Sequence, residues 1–262
     1  MDKNYFSKYY ELERNHWWFT VREKIITDAI RKRIRLPKIP SILNAGVATG
    51  RSTELLQQFG TVTSVEQDAD TCAFLEEQLQ IPVTCASVTD LPFFDDSFDM
   101  VCAFDVIEHV QEDASAIRQL RRVLRKDGRL ILTVPAYNFL WSTHDNVNHH
   151  FRRYTADRIE KLLKKEGLSV EYLTYFNTFL FIPIASYRLA TRRGKKINSP
   201  ESASQKTIQS DFERPVSKNR FLNRLFEIIF SAERKLLKSV KMPFGVSMLV
   251  IAHKEDHSAA VQ

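Results

Sequence analysis

Six side chains able to move protons or grip anions fall between positions 144 and 153: His144, Asp145, His149, His150, Arg152 and Arg153. An imidazole can take a proton from a nucleophile near neutral pH, and a neighbouring carboxylate can orient it. Three arrangements fit these types at this spacing. In the first, His144 or His149 is a general base oriented by Asp145, while Arg152 and Arg153 hold an anionic substrate. In the second, His144, Asp145 and His149 polarise an acceptor oxygen through a metal ion. Nothing in the spacing fixes a ligand geometry, so no resident metal is expected. In the third, the cluster ties loops together and Thr155 caps the next helix. Tyr137, Trp141 and Tyr154 flank the cluster and, with His109, are candidate substrate contacts.

The other chemical signal is the run Ile42-Leu43-Asn44-Ala45-Gly46-Val47-Ala48-Thr49-Gly50, an apolar strand entering a turn of small residues before a helix. Small residues at 46, 48 and 50 let the backbone approach a ligand closely. A dinucleotide fingerprint G-x-G-x-x-G read from Gly46 needs Gly or Ala at 51, where Arg51 stands. Glu66 ends the following strand, where a carboxylate can accept hydrogen bonds from both hydroxyls of a ribose.

These residues need a scaffold, and the apolar pattern supplies one. A helical spacing runs through Val21, Ile25, Ile26, Ala29, Ile30 and Ile34 and stops before Pro37 and Pro40. Strands are expected at Ser41–Ala45, Thr61–Glu66, Pro82–Ala86, Phe98–Phe104 and Arg129–Val134, with helices at Ser52–Phe59, Ala69–Gln80 and Ala114–Leu124 between them. That alternation implies βαβ crossovers and a parallel sheet. A helix at Thr155–Glu166, a strand at Leu168–Thr174, an amphipathic helix from Leu222 to Val240 and a strand at Val246–His253 follow.

Four segments, in order and spacing, resemble the class I S-adenosylmethionine-dependent methyltransferase family, type 11-like. The turn at 44–50 is similar to its D-x-G-x-G-x-G, with Asn44 and Ala48 as departures. Leu91–Asp99 looks like its LPF-x-D-x-SFD segment, Phe104–Val110 like the exit of its fourth strand, and Leu124–Pro135 like the passage into its fifth. The resemblance covers about residues 41–135. It implies a Rossmann-like three-layer α/β sandwich with a seven-stranded, mostly parallel sheet, an antiparallel last strand and a helical insert between strands six and seven. It also implies S-adenosyl-L-methionine as cofactor, with Asn44, Gly46, Ala48, Gly50, Glu66, Gln67, Ser87, Val88, Phe104 and Asp105 around it. The His16-Trp17-Trp18-Phe19 run resembles the leading segment of a bacterial branch, which would make residues 1–40 a helical lid. Residues 41–175 and 242–256 would form the core, and 176–241 an insert with a mobile linker near 195–219.

An oxygen acceptor on a small or lipid-linked molecule, neutral or anionic, is the preferred substrate. The alternatives are an NAD-dependent oxidoreductase or epimerase, disfavoured by Arg51, and a non-catalytic S-adenosylmethionine- or nucleic-acid-binding protein. No target-base or RNA-binding motif is visible, so no nucleic acid partner is expected. Charge is uneven: residues 1–150 hold 17 Lys and Arg against 21 Asp and Glu, a net −4, and the remaining 112 hold 21 against 11, a net +10. The basic part fits an anionic partner or a well-solvated face equally. In 176–196 an apolar run meets Arg188, Arg192, Arg193, Lys195 and Lys196, which suits either contact with acidic headgroups or a cap over the site. Three cysteines without paired spacing, and an N-terminus without an apolar leader, point to the cytoplasm, with peripheral contact at the inner membrane face.

Overall fold

The computed structural model describes residues 3–193 and 220–255. Seven strands form one sheet: β1 (Ser41–Ala45), β2 (Thr61–Glu66), β3 (Thr84–Cys85), β4 (Phe98–Phe104), β5 (Leu124–Pro135), β6 (Leu168–Phe176) and β7 (Ser247–Lys254). Their order is β3-β2-β1-β4-β5-β7-β6. The first five pair in parallel, whereas β7 runs antiparallel to both β5 and β6. This is the architecture expected from the resemblance.

Alternation along the strands explains the three layers, because successive side chains face opposite sides. Leu43, Val101, Ala103, Leu130, Leu132 and Val250 pack on one face against Ile117 and Leu120 of α5 (Asp113–Val123) and Ile159 and Leu163 of α7 (Ala156–Lys165). Their neighbours Ile42, Met100, Cys102, Ile131, Leu249 and Ile251 face the other way. There they meet α2 (Trp17–Arg33), through Val21, Ile25, Ile26 and Ile30, and α3 (Arg51–Gln57), through Leu56. The last helix, Arg220–Leu237, numbered α9 here, joins the same layer. Its Phe230 is fully buried and stacks on Phe176. This helix of the expected insert is thus a wall of the core. Four further helices are α1 (Lys3–Asn15), α4 (Ala69–Leu79), α6 (Thr143–Val147) and α8 (Phe181–Arg193). The expected linker at 195–219 lies outside the described residues. No described helix is long and apolar enough to cross a membrane.

Strand order reverses between β1 and β4, the place where open α/β sheets leave a crevice at their carboxyl ends. Two local devices open it. His16 caps α2, its Nδ1 accepting the Trp18 amide at 3.2 Å. Arg51 clasps Glu23 of α2 at 2.9 Å through both Nε and Nη2 and reaches Glu54 at 2.9 Å. The residue that argued against a dinucleotide fingerprint therefore holds α2 onto α3 beside the turn.

Candidate active site

A cavity of about 1000 Å³ opens at this switch point. Its inner end is lined by Gly46, Val47, Ala48, Glu66, Gln67, Val88, Phe104 and Asp105. Gly46 has φ +76°, and a Cβ there would lie 2.4 Å from Val106 Cγ2. Ala48 takes φ +50° despite its side chain, a conformation costing on the order of 1 kcal/mol that must be held in place. Glu66 holds it. One carboxylate oxygen accepts the amides of Val47 and Ala48, both at 3.1 Å, and the other accepts those of Gln67 (2.8 Å) and Asp68 (3.1 Å). Glu66 thus fixes the turn as well as facing the cavity.

Three residues expected at the cofactor stand behind this wall. Asn44 is fully buried and donates to Ser52 Oγ (2.9 Å) and Thr53 Oγ1 (3.0 Å), tying β1 to the start of α3. Its amide is spent on the scaffold because its side chain leaves the strand end toward that helix. Ser87 turns back on its own loop, its Oγ accepting the Thr89 amide at 3.2 Å, and leaves Val88 to line the cavity. Gly50 caps α3 with φ +85°, and a Cβ there would sit 2.5 Å from Ile81 Cδ1, on the core side. Gly50→Val should therefore destabilise the fold by about 1–3 kcal/mol through backbone strain. The folded fraction should still bind cofactor. A melt that is unchanged, with lost binding, would put Gly50 back on the ligand.

The N-terminal helices close the cavity from the side: Tyr9, Glu13, His16, Trp17, Trp18, Phe19 and Arg22 all line it. Arg22 reaches Asp105 at 2.5 Å and Thr133 Oγ1 at 2.9 Å, across the ends of β4 and β5. Asp105 itself has φ +55°. Glu13 accepts the Thr49 hydroxyl, and burial pushes its carboxyl up to about 8, keeping it protonated at neutral pH. Glu13 was not singled out from the sequence, although the density of His, Trp and carboxylate around it was the available signal.

The outer end carries the His-Asp-Arg cluster, rearranged from expectation. Asp145 does not orient His144. It is fully buried, closes a capping box with Ser142, and takes both Arg153 Nε (2.8 Å) and Nη2 (3.0 Å) while bonding His150 Nδ1 at 2.9 Å. Arg153 also donates to the Ala136 carbonyl at 3.1 Å, so its guanidinium fixes the loop and is not free to grip substrate. Arg152 is likewise committed, to Asp113 at 2.7 Å and the Gln111 carbonyl at 2.6 Å. Tyr154 is fully buried with its hydroxyl 3.0 Å from Asp113. Tyr137 stacks on Tyr175, and Trp141 donates to Asn146 Oδ1 at 2.8 Å. None of Arg152, Tyr137, Trp141 or Tyr154 lines the cavity, because a short loop between two sheet-end contacts must spend its polar groups internally.

His109, His144, His149 and His150 do line it. Burial lowers His144 to about 3, which leaves its ring neutral but a weak proton acceptor at pH 7. Below the histidines lies Glu108, a residue the sequence reading passed over within Phe104–Val110. It is fully buried, and neither carboxylate oxygen has a hydrogen-bond partner. Burial, then the nearby Asp105, raises its pKa well above the usual carboxylate range.

Residues 43–132 match a family model described as a methyltransferase domain. The chain is 28% identical over 161 residues to a probable S-adenosylmethionine-dependent methyltransferase of Mycobacterium tuberculosis, covering 60% of this chain and 57% of that one. It is 31% identical over 173 residues to an uncharacterized protein of Methanocaldococcus jannaschii, covering 63% of this chain and 80% of that relative. Residues 43–132 of the chain therefore form a methyltransferase domain. A solved S-adenosylmethionine-dependent methyltransferase of Thermotoga maritima, described as a possible histamine N-methyltransferase, shares the fold with a TM-score of 0.57, 16% identity and 96% coverage of both chains. The match spans little more than half the length of the Mycobacterium relative.

S-adenosyl-L-methionine is the cofactor of such methyltransferases, and the inner end of the cavity fits it. The turn from Gly46 to Ala48 forms part of the cavity wall, and Glu66 places a carboxylate at the adjacent strand end. Trp17, Trp18 and Phe104 add aromatic faces, which attract a sulfonium by roughly 0.5–2 kcal/mol each.

Proposed function

We propose that this chain transfers a methyl group from S-adenosyl-L-methionine to an oxygen of a small or lipid-linked acceptor. The observation that carries the reading is a single cavity with two chemically distinct ends. Gly46, Ala48 and Glu66 stand at one end, and histidines beside an apolar wall of Leu180, Pro183 and Ile184 at the other. Bound cofactor supplies an electrophilic methyl group on sulfur. The work left to the protein is to align the acceptor and exclude water. Arg22 and Asp105 fix the ends of β4 and β5 where the two ends meet. The N-terminal helices cover the junction, in keeping with the branch that the His16–Phe19 segment suggests.

An apolar acceptor is supported by Leu180, just before α8, and Ile184 of α8, which line the cavity, while Ile182, Tyr187 and Leu189 of α8 are exposed. With the basic C-terminal part, this surface suits contact with an acidic membrane face. No nucleic acid is required by this reading.

The test is an incubation of the purified chain with methyl-labelled cofactor and separated lipid and aqueous extracts. Label should enter the lipid fraction and be released by conditions that cleave methyl ethers or esters. Label confined to water-soluble amines would move the acceptor to nitrogen. Tryptophan fluorescence, with Trp17 and Trp18 at the cavity, should respond to S-adenosyl-L-methionine and not to NAD; a response to NAD alone would sink the cofactor assignment.

A further inference from the structure

We infer that Glu108, His109 and His150 form a site for one divalent transition-metal ion at the acceptor end of the cavity. These differ from the trio that sequence spacing brought forward, since His144 is engaged with Asn148 and Asp145 with Arg153. One ligand atom from each of Glu108, His109 and His150 lies within 4.8 Å of the other two. A cation bonded at about 2.0–2.2 Å to each holds its ligands roughly 3–3.5 Å apart, so side-chain rotation of about an ångström closes the set.

Three observations point to a ligand. The first is Glu108 itself: a fully buried carboxylate lining the cavity, both oxygens without a partner. Such a group is costly when left unsatisfied, and a cation offsets that cost directly. The second is the support behind the imidazoles. His150 bonds the buried Asp145 through Nδ1 at 2.9 Å, which leaves Nε2 for a metal. His109 is hydrogen-bonded to the Asn148 backbone. A ligating histidine almost always gives its other ring nitrogen to a carboxylate or a carbonyl, and both do so here. The third is that the Asp145–Arg153 pair, fully buried, makes this support rigid.

One carboxylate and two imidazoles suit Zn²⁺, Mn²⁺, Fe²⁺ or Co²⁺ better than Ca²⁺, which takes six to eight oxygens. Three protein ligands leave positions open toward the cavity, the arrangement of a catalytic rather than a structural metal. On the methyl-transfer reading, on which this role rests, the open positions take the acceptor's oxygen. That would relieve His144 of serving as base.

The test uses the full chain, stripped with a chelator and titrated with Co²⁺ by visible absorption, with calorimetric binding of S-adenosyl-L-methionine measured separately on the same protein. One equivalent of Co²⁺ should bind and give visible ligand-field bands distinct from those of the free aqueous ion. Glu108→Gln and His150→Ala should each weaken binding by at least about tenfold. His109→Ala, an exposed position at the cavity mouth, carries little risk to folding and should do the same; circular dichroism confirms the fold of each variant. Cofactor affinity should stay within about twofold in His109→Ala. No stoichiometric Co²⁺ binding, or equal affinity in folded His109→Ala and the wild type, overturns the site. Stoichiometric metal with no cofactor binding would instead leave the site standing and remove the methyl-transfer reading.

Discussion

Replacing Arg153 by methionine should cost the fold about 3–5 kcal/mol, the usual loss when one partner of a buried ion pair is removed. Asp145 is fully buried and Arg153 is 3% exposed, so neither charge can turn to water. The variant would strand a carboxylate whose remaining support is the Ser142 amide and His150. For a chain of this size the melting temperature should fall by roughly 6–20 °C. The double variant Arg153→Met with Asp145→Leu should recover much of that, because an apolar pair avoids the desolvation cost of two charges. Acid should reveal the same pair. Burial acts to raise the Asp145 carboxyl, but hydrogen bonds from His150 and Arg153, with the Arg153 charge, hold it well below the ordinary carboxylate range. A folded value below the unfolded value of about 3.9 means stability present above that pH and lost as pH falls toward the folded value. The wild type should therefore lose stability between about pH 5 and pH 2, and the double variant should lose less. Urea melts at pH 7 and pH 3 decide it: identical pH slopes in the two proteins would show that the pair contributes nothing.

That pair also shows where sequence reading stopped. The residues were found, since a run with His144, Asp145, His149, Arg152 and Arg153 is chemically dense. Their partners were not, because a buried arginine and a substrate-gripping one are the same letter. What separates them is whether a carboxylate lies within reach in three dimensions, as Asp145 does for Arg153 and Asp113 for Arg152. Glu108 was missed for the converse reason. In a line of residues reading Phe104-Asp105-Val106-Ile107-Glu108-His109, nothing says that the glutamate points inward while Asp105 meets Arg22.

The sheet was far more legible, because period-two alternation in β1, β4, β5 and β7 is a direct consequence of two covered faces. The misjudged elements have local causes. β3 shrinks to Thr84–Cys85, since Pro82 lacks an amide to give a ladder. The apolar run from Phe176, to which the sequence pattern assigned no element, becomes α8 from Phe181, past Asn177 with its φ of +61° and with Pro183 in the first turn. α9 falls between β6 and β7, as the expected helical insert does, and its amphipathic stripe lies along α2, where Arg234 meets Asp28 at 2.7 and 3.0 Å.

Glu66→Ala should weaken binding of S-adenosyl-L-methionine by about 1.5–3 kcal/mol, roughly 10- to 150-fold, the range for hydrogen bonds to a charged group. Two losses combine. The carboxylate at the end of β2 is the group placed to accept from ribose hydroxyls, and it also gathers the amides of Val47, Ala48, Gln67 and Asp68. Without it, Ala48 has little reason to stay at φ +50°, and the turn must be reordered at each binding event. Glu66→Gln separates the two contributions. One amide oxygen can still accept from a pair of backbone N–H groups, while the NH₂ faces the other pair as donor against donor. If loop order dominates, Gln should behave almost as badly as Ala. If the ribose contact dominates, Gln should retain much of the affinity, since its amide can still bond a hydroxyl. Calorimetry on both variants reads the difference, with thermal melts to confirm folding. An unchanged dissociation constant in folded Glu66→Ala would remove the cofactor from this end of the cavity altogether.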